Sequence, residues 1–134
     1  MFDKLDKKYS HIMNLSYIEC EEGWYVIIDT CLGLINNLLK DFDSDHEFKI
    51  CQIKEKFGGL RMYYDYNYCY EHKDRFYENV IKKVDDYILF AESLSFRTCE
   101  FTGSTKNVRL VRKGGKNFGW MKTLCEEEAL KWEE

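Results

Sequence analysis

The residues of this chain with the clearest chemical potential form a basic, glycine-rich segment over positions 109–120. Arginine side chains can grip a phosphate through two parallel hydrogen bonds, and glycines let backbone N–H groups come close to an anion. Phe118 and Trp120 could stack on a nucleic-acid base. The alternative is a set of solvated charges at a hairpin tip, because the segment matches no phosphate-loop or dinucleotide fingerprint. The predicted anion or partner site comprises Arg109, Arg112, Lys113 and Lys116.

The charge of the chain is divided unevenly along its length. Its 134 residues carry a net charge of −4, yet positions 97–122 hold seven basic side chains and one acid, Glu100. The local charge is therefore +6, and the remaining residues carry −10. A basic region of this kind favours anionic partners. The acidic remainder argues against an extended surface for duplex nucleic acid.

A catalytic constellation is not recognisable in the sequence. His11, His46 and His72 fall in predicted terminal or loop regions, without a serine or cysteine at a spacing typical of nucleophilic catalysis. No nucleophile elbow and no metallohydrolase cluster of histidine and aspartate occurs. We therefore expect a protein that is not an enzyme, and we interpret each histidine as a surface residue.

Length and composition favour one folded domain over residues 1–134. Hydrophobic residues make up 45% and aromatic residues 16% of the chain, and no proline occurs. The charged N-terminus lacks the apolar run of a signal peptide or a membrane-spanning helix. We expect a cytoplasmic protein without membrane contact, whose six cysteines are mostly free thiols.

The elements that must position these residues begin with two helices. Apolar residues recur at steps of three and four over about residues 22–41 and about residues 73–96, which indicates amphipathic helices. The apolar face of the first includes Trp24, Cys31 and Leu34, and that of the second includes Leu94. Both faces are expected to pack on a β-hairpin.

The hairpin is predicted from residues 48–54 and 60–64, which are rich in β-branched and aromatic residues and flank a turn containing Gly58-Gly59. Residues 65–71 fit either a strand extension or a loop. After residue 96, glycines divide the chain into short pieces such as 108–111 and 120–124, and a short terminal helix is predicted at 126–132. The predicted fold is α+β, with a helix–hairpin–helix body over 1–96 and a C-terminal module over 97–134.

Five short motifs together carry a resemblance to a known family. They are ECEEGWY at 19–25, IKEKFGGLRMYY at 53–64, AE at 91–92, TCE at 98–100 and GWMKTLC at 119–125. In this order the motifs resemble a family of small, uncharacterised proteins encoded by bacteriophages and prophages. The resemblance covers about residues 19–129. The charged hairpin residues that the family pattern retains are Lys54, Glu55, Lys56 and Arg61, with either a partner-binding role or a role in turn geometry and ion pairing.

The resemblance implies a C-terminal zinc knuckle of the treble-clef or ribbon type, in which two Cys-x-x-Cys/His pairs hold a tetrahedral zinc ion. In this chain the knuckle is degenerate, because Thr102 and Glu128 stand at the second position of each pair. If zinc is bound, the ligands are Cys99, Cys125 and Glu128. The expectation is a metal-free knuckle without a cofactor, held by apolar contacts from Phe101, Leu110, Phe118, Trp120 and Leu124.

The functional expectation follows from the resemblance and from the missing catalytic constellation. It is a non-enzymatic phage or prophage accessory protein that acts in the host cytoplasm and binds a host protein such as an antiviral defence nuclease. The alternative is a nucleic-acid or nucleotide-binding protein that uses the basic loop at 109–120.

Overall fold

Helices and two β-hairpins alternate along the chain. The computed structural model describes residues 1–15, 17–40, 47–67 and 75–134. The helices are α1 (Leu5–Lys8), α2 (Tyr25–Leu39), α3 (Arg75–Ser95) and α4 (Glu126–Glu133). The strands are β1 (Glu47–Lys56), β2 (Gly59–Asn67), β3 (Val108–Arg112) and β4 (Met121–Cys125). The predicted α+β class is confirmed, with β1–β2 and β3–β4 as separate antiparallel pairs.

Element boundaries differ from the predicted ones by a few residues. The first predicted helix opens with a single 3-10 turn, Glu22–Trp24, before α2 begins. The β1–β2 hairpin is longer than predicted, and its backbone pairing runs from Glu47 and Asn67 at one end to Lys56 and Gly59 at the other. Residues 65–67 extend β2, whereas residues 68–71 lie outside the described residues.

The turn of the first hairpin consists of Phe57 and Gly58. Both residues have positive φ angles, 55° and 83°, as a two-residue type I′ turn requires. Gly59, which the sequence placed in the turn, is instead the first residue of β2 and pairs with Lys56. A Cβ atom on Gly59 would lie 2.4 Å from the ring of Phe96, so glycine lets α3 end directly against the hairpin.

A β-bulge keeps the inner face of β1 apolar. The register shifts between Ile50 and Gln52, which leaves Cys51 as an extra residue on this strand. Such an insertion reverses the alternation of side chains along a strand. Phe48 and Ile50 before the bulge and Ile53 after it are therefore all buried.

The N-terminal segment contributes to the main core, a role that the sequence did not indicate. Its buried residues pack against α2 and the hairpin. The backbone also runs parallel to β1 at two points: Ile50 N–H donates to the Ile12 carbonyl at 2.7 Å, and Glu19 N–H donates to the Ile53 carbonyl at 2.9 Å. The buried N-terminal residues are Leu5, Tyr9, Ile12 and Met13.

The two long helices bury the stripes that the sequence predicts, but not completely. Val84 of α3 and Leu60 and Met62 of β2 are buried in the same core. Leu34 and Leu94, both predicted on core faces, are 44% and 37% exposed, because the apolar arc of each helix is wider than its packing partners cover. In the described part of the chain, no helix is long and apolar enough to cross a membrane.

The C-terminal module has its own small core. Its buried apolar residues are packed against partly buried aromatic and aliphatic side chains, including Phe101 and Trp132 of α4. Of the residues expected to hold this module by apolar contacts, Leu110, Phe118 and Trp120 are 48%, 71% and 56% exposed, although the Trp120 ring packs edge-to-face on Trp132. Helix α4 covers the inner face of the β3–β4 hairpin in their place. The buried residues of this core are Cys99, Val111, Leu124 and Ala129.

The residues just before α2 form hydrogen bonds with the loop that follows α3. The buried indole of Trp24 donates to the Thr98 carbonyl at 2.9 Å, and Gly23 N–H donates to the Glu100 carbonyl at 2.7 Å. A Cβ atom on Gly23 would lie 2.3 Å from the carbonyl oxygens of Cys99 and Glu100. The Gly-Trp and Thr-Cys-Glu motifs that carry the family resemblance are therefore two halves of one contact.

Candidate functional site

The turn of the first hairpin docks on the C-terminal module. Thr123 donates its hydroxyl to the Gly58 carbonyl at 2.7 Å, and a Cβ atom on Gly58 would lie 2.2 Å from Leu110 Cδ1. Glu55 accepts hydrogen bonds from Gly58 N–H, at 3.1 Å, and from the Trp120 indole. The Lys-Glu-Lys-Phe-Gly-Gly motif thus positions the module against the body.

The four charged hairpin residues predicted as a partner site have different environments. The Glu55 carboxylate accepts hydrogen bonds from the Trp120 indole and from the hairpin turn. Arg61 forms an ion pair with Glu92 at 2.9 Å. Lys54 is half-buried, whereas the exposed Lys56 lies over the Phe57 ring at 5.7 Å. Only Lys56 of this set is well presented to a partner.

The basic residues predicted at 109–120 also separate into two groups. Arg109 is held by two carboxylates of α4: its Nε lies 2.8 Å from Glu126 and its Nη1 contacts Glu133. The hydrogen bonds that Arg109 donates to these glutamates raise its pKa. Arg112 donates to the Gly119 carbonyl at 3.1 Å, which closes the loop. Because Arg109 is already paired with two carboxylates, we leave it out of the candidate anion site.

We group the remaining lysines and rings of the loop with those of the hairpin turn as the tip surface, since the Trp120 indole donates a hydrogen bond to Glu55 beside the turn. Three exposed lysines and three exposed aromatic rings form it, with Phe57, Phe118 and Trp120 65%, 71% and 56% exposed. Within the described residues, none of its lysines forms an ion pair. The tip surface comprises Lys56, Phe57, Lys113, Lys116, Phe118 and Trp120.

Removing the acceptor that holds Trp120 should loosen the docked hairpin. We expect Glu55→Ala to lower the free energy of unfolding by about 1 to 2 kcal/mol, since two hydrogen bonds to a carboxylate are lost in a partly exposed site. Glu55→Gln keeps an acceptor oxygen and should cost less. Urea unfolding checks both, with Lys54→Ala as the neighbouring control; equal stability of Glu55→Ala and wild type would contradict the assigned role.

A buried ion pair lies beneath the tip surface. Lys122 Nζ lies 2.8 Å and 2.9 Å from the two carboxylate oxygens of Glu100, and their side chains are 4% and 0% exposed. Glu21 N–H also donates to this carboxylate, at 3.1 Å. Burial raises the pKa of Glu100, and the hydrogen bonds from Lys122 oppose that rise. The sequence offered one signal for this pair, because Glu100 is the single acid of the basic segment.

The pair opens onto a polar cleft of about 520 Å³. Burial raises the pKa of the Cys20 thiol at its wall, and the Glu100 charge adds to the effect. Cys20 therefore stays protonated near neutral pH and is a poor nucleophile. The cleft is lined by Ile18, Glu19, Cys20, Glu21, Glu55, Glu100, Trp120 and Lys122.

Several hydrogen bonds surround the Cys99 thiol of the expected knuckle. Burial would raise the pKa of this thiol, but hydrogen bonds from Thr102 and from the backbone N–H groups of Cys125, Thr102 and Phe101 outweigh burial and lower the pKa. Thr102 N–H lies 3.4 Å from Cys99 Sγ, and the Thr102 hydroxyl lies 3.8 Å from Cys125 Sγ. The threonine therefore bridges the two cysteines.

The residues of the knuckle do not fit a metal ion. In residues 1–15, 17–40, 47–67 and 75–134, no three side chains of His, Cys, Asp or Glu are grouped as metal ligands. Glu128, the third ligand expected if zinc is bound, instead forms an ion pair with Lys131 at 3.4 Å. The ligand set of Cys99, Cys125 and Glu128 is thus not assembled.

The histidines do not add a chemical site to the described structure. His11 is exposed, and its carbonyl accepts a hydrogen bond from Lys49 at 3.0 Å. His46 and His72 lie outside the described residues.

An apolar groove between α2 and α3 is a feature that sequence reasoning missed. None of the residues lining it is charged, and its volume is about 160 Å³. Its most exposed residues are Val26 of α2 and Phe90 of α3, at 72% and 64%. The signal for it was the width of the two apolar stripes. The groove is lined by Val26, Ile27, Thr30, Cys31, Leu34, Tyr87, Phe90, Ala91 and Leu94.

The fold and these surfaces define a small α+β protein with two exposed candidate surfaces, the tip surface and the apolar groove. In comparisons with known proteins, no family model, no curated protein and no solved structure matches this chain.

Proposed function

We propose that this chain is a non-enzymatic accessory protein of a bacteriophage or prophage, and that it binds a host protein through the apolar groove. The family resemblance supports the phage origin. The observation that carries the binding role is the uncharged groove, in which Val26 and Phe90 stand largely exposed. Exposed apolar surface of this kind marks interaction sites in soluble proteins.

The size and shape of the groove favour a protein segment over a small molecule. Its volume of about 160 Å³ is below the range of roughly 300 to 1,000 Å³ that holds small-molecule ligands. Two rows of apolar side chains, one from each helix, border it along its length. This arrangement suits the apolar face of a partner helix, whose anchors recur at every third and fourth residue.

The partner class proposed is a host protein that acts against phage, with a defence nuclease as the first case to test. A protein without a catalytic site can neutralise such a factor by occupying a surface that the factor needs. The aromatic ring of Phe90 has the character of an interface anchor, because large rings dominate the energetics of protein interfaces.

The test is affinity capture from bacterial lysate followed by titration of the purified partner. Charged substitutions in the groove, Val26→Glu and Phe90→Glu, should weaken binding at least about 30-fold, as loss of an interface hot spot does. Leu130→Glu is the matched control, since Leu130 is 54% exposed on α4 and lies outside the groove. If the partner is a nuclease, wild type and the Leu130 variant should inhibit it and the groove variants should not.

The outcomes separate the groove from other surfaces. A partner that binds the groove variants and wild type with equal affinity would exclude the groove as its docking site. Self-association that the groove variants abolish would assign the groove to a second copy of this chain and overturn the host-protein proposal. Thermal unfolding of each variant checks that the fold is retained.

A further inference from the structure

We propose that the tip surface binds single-stranded nucleic acid. This inference is independent of the groove, since the two surfaces share no residue. It rests on the charge, the exposed rings and the fixed geometry of the tip surface.

The lysines of the tip surface form no ion pair with the described carboxylates around them. Glu126 and Glu133 both pair with Arg109, and Glu55 accepts hydrogen bonds from Trp120 and from the hairpin turn, so these carboxylates are engaged elsewhere although they keep a net negative charge. In the part of the chain that the structure describes, Lys56, Lys113 and Lys116 make no ion pair. These three exposed lysines therefore present positive charge on an otherwise acidic protein, with the Lys113 ammonium 4.7 Å from the Trp132 ring, and they favour an anionic ligand.

Each exposed ring of the tip surface has a lysine ammonium within 6 Å. The distances from ammonium nitrogen to ring centroid are 5.7 Å for Lys56 and Phe57, and 5.9 Å for Lys116 and Phe118. Lys122 lies 4.7 Å from the Trp120 ring, but it is buried and paired with Glu100, so it supports this ring from within and is not a phosphate contact. A single strand presents unstacked bases next to phosphates, so rings paired with cations match its chemistry. An acidic protein surface would use the lysines but not the rings as stacking platforms.

The geometry of the loop is fixed before any ligand arrives. Lys113 N–H donates to the Trp120 carbonyl at 2.9 Å, and Arg112 donates to the Gly119 carbonyl at 3.1 Å. Gly114 and Gly115 have positive φ angles, 72° and 67°, which let the loop turn back over so few residues. A preformed loop reduces the ordering entropy lost on binding.

A single strand fits this surface better than a duplex. Bases in a duplex are stacked on one another and cannot lie on Phe118 or Trp120 without being extruded. The surface is also small, and the residues outside positions 97–122 carry a charge of −10 that repels an extended polyanion.

The test is fluorescence anisotropy with a labelled oligothymidine of about 12 nucleotides at low salt. Phe118→Ala should weaken binding roughly 5- to 150-fold, the range measured when one stacked ring is removed. The double variant Lys113→Ala/Lys116→Ala should weaken binding and flatten the dependence of log affinity on log salt by about 0.7 for each lysine. Lys82→Ala/Lys83→Ala is the matched control, because both lysines are exposed on α3.

Two further probes decide between partners. Duplex DNA of the same sequence and polyglutamate should bind much more weakly than the oligothymidine. If wild type does not bind the oligothymidine at low salt, the proposal is wrong. It is equally wrong if polyglutamate binds as well as the oligothymidine and Phe118→Ala changes neither affinity. Groove variants such as Phe90→Glu should bind the oligonucleotide normally, so this proposal and the groove proposal fail separately.

Discussion

Replacing Gly23 by alanine should destabilise the protein by about 3 kcal/mol, a large part of the roughly 5 to 15 kcal/mol that stabilises an ordinary domain. The added Cβ would stand 2.3 Å from the carbonyl oxygens of Cys99 and Glu100. These are backbone atoms, and Gly23 N–H is itself bonded to the Glu100 carbonyl at 2.7 Å. Neither backbone segment can move away without breaking the hydrogen bond that joins the helix–hairpin–helix body to the C-terminal module.

Chemical denaturation followed by tryptophan fluorescence measures this effect. Gly33→Ala is the control, because its Cβ would meet only the Tyr9 hydroxyl, at 3.3 Å, inside α2. A glycine in a helix interior is itself unfavourable by up to about 1 kcal/mol relative to alanine, so this change should be near neutral. If Gly23→Ala is as stable as Gly33→Ala, the close approach does not hold body and module together.

Replacing Lys122 by methionine should cost about 3 to 5 kcal/mol, because it leaves the buried carboxylate of Glu100 without its cation. The two side chains are 4% and 0% exposed, so the carboxylate is left largely desolvated when its partner is lost. Lys131→Met, which removes the exposed partner of Glu128, is the control and should change stability by less than about 1 kcal/mol.

The double variant Glu100→Gln/Lys122→Met isolates the pair interaction. It should be more stable than Lys122→Met alone, since the amide carries no charge and can still accept from Glu21 N–H. A double variant that is less stable than both single variants would show that burial of an uncompensated charge is not the cause of the loss.

The pH dependence gives an independent check. Burial raises the pKa of Glu100, so the folded state holds this proton more tightly than the unfolded chain does. The contribution of such a group to stability is greatest below its unfolded pKa and is lost as pH rises through its folded pKa. Without Lys122 the pKa should rise further, because the opposing hydrogen bonds are gone. The stability difference between wild type and Lys122→Met should therefore shrink as the pH is lowered from about 7 to about 5.

The local structure of this protein was largely predictable from its sequence. Periods of three and four residues located α2 and α3, and β-branched and aromatic runs located the first hairpin. The α+β class follows from these local patterns alone. The bulge at Cys51 and the place of Gly59 in β2 were not predictable, because they depend on which residue of the partner strand each position faces.

The candidate site was less predictable because its residues are engaged by partners far away in sequence. Arg109 belonged to the predicted anion site until Glu126 and Glu133 of α4 were found to hold it. The sequence did not distinguish Glu55 from the other three charged residues of the hairpin. Its role is shown by the hydrogen bond that it accepts from the Trp120 indole, 65 residues away. A sequence pattern gives the type of a side chain but not the group with which that side chain pairs in the folded protein.

What the sequence determined by itself is the set of elements and the basic character of residues 97–122. The tertiary structure alone decided which aromatic residues are exposed, that Glu100 and Lys122 are buried together, and that α2 and α3 leave an apolar groove. The physical reason is that propensity and periodicity act over a few neighbouring residues, whereas burial and pairing depend on elements that meet only after the chain has folded.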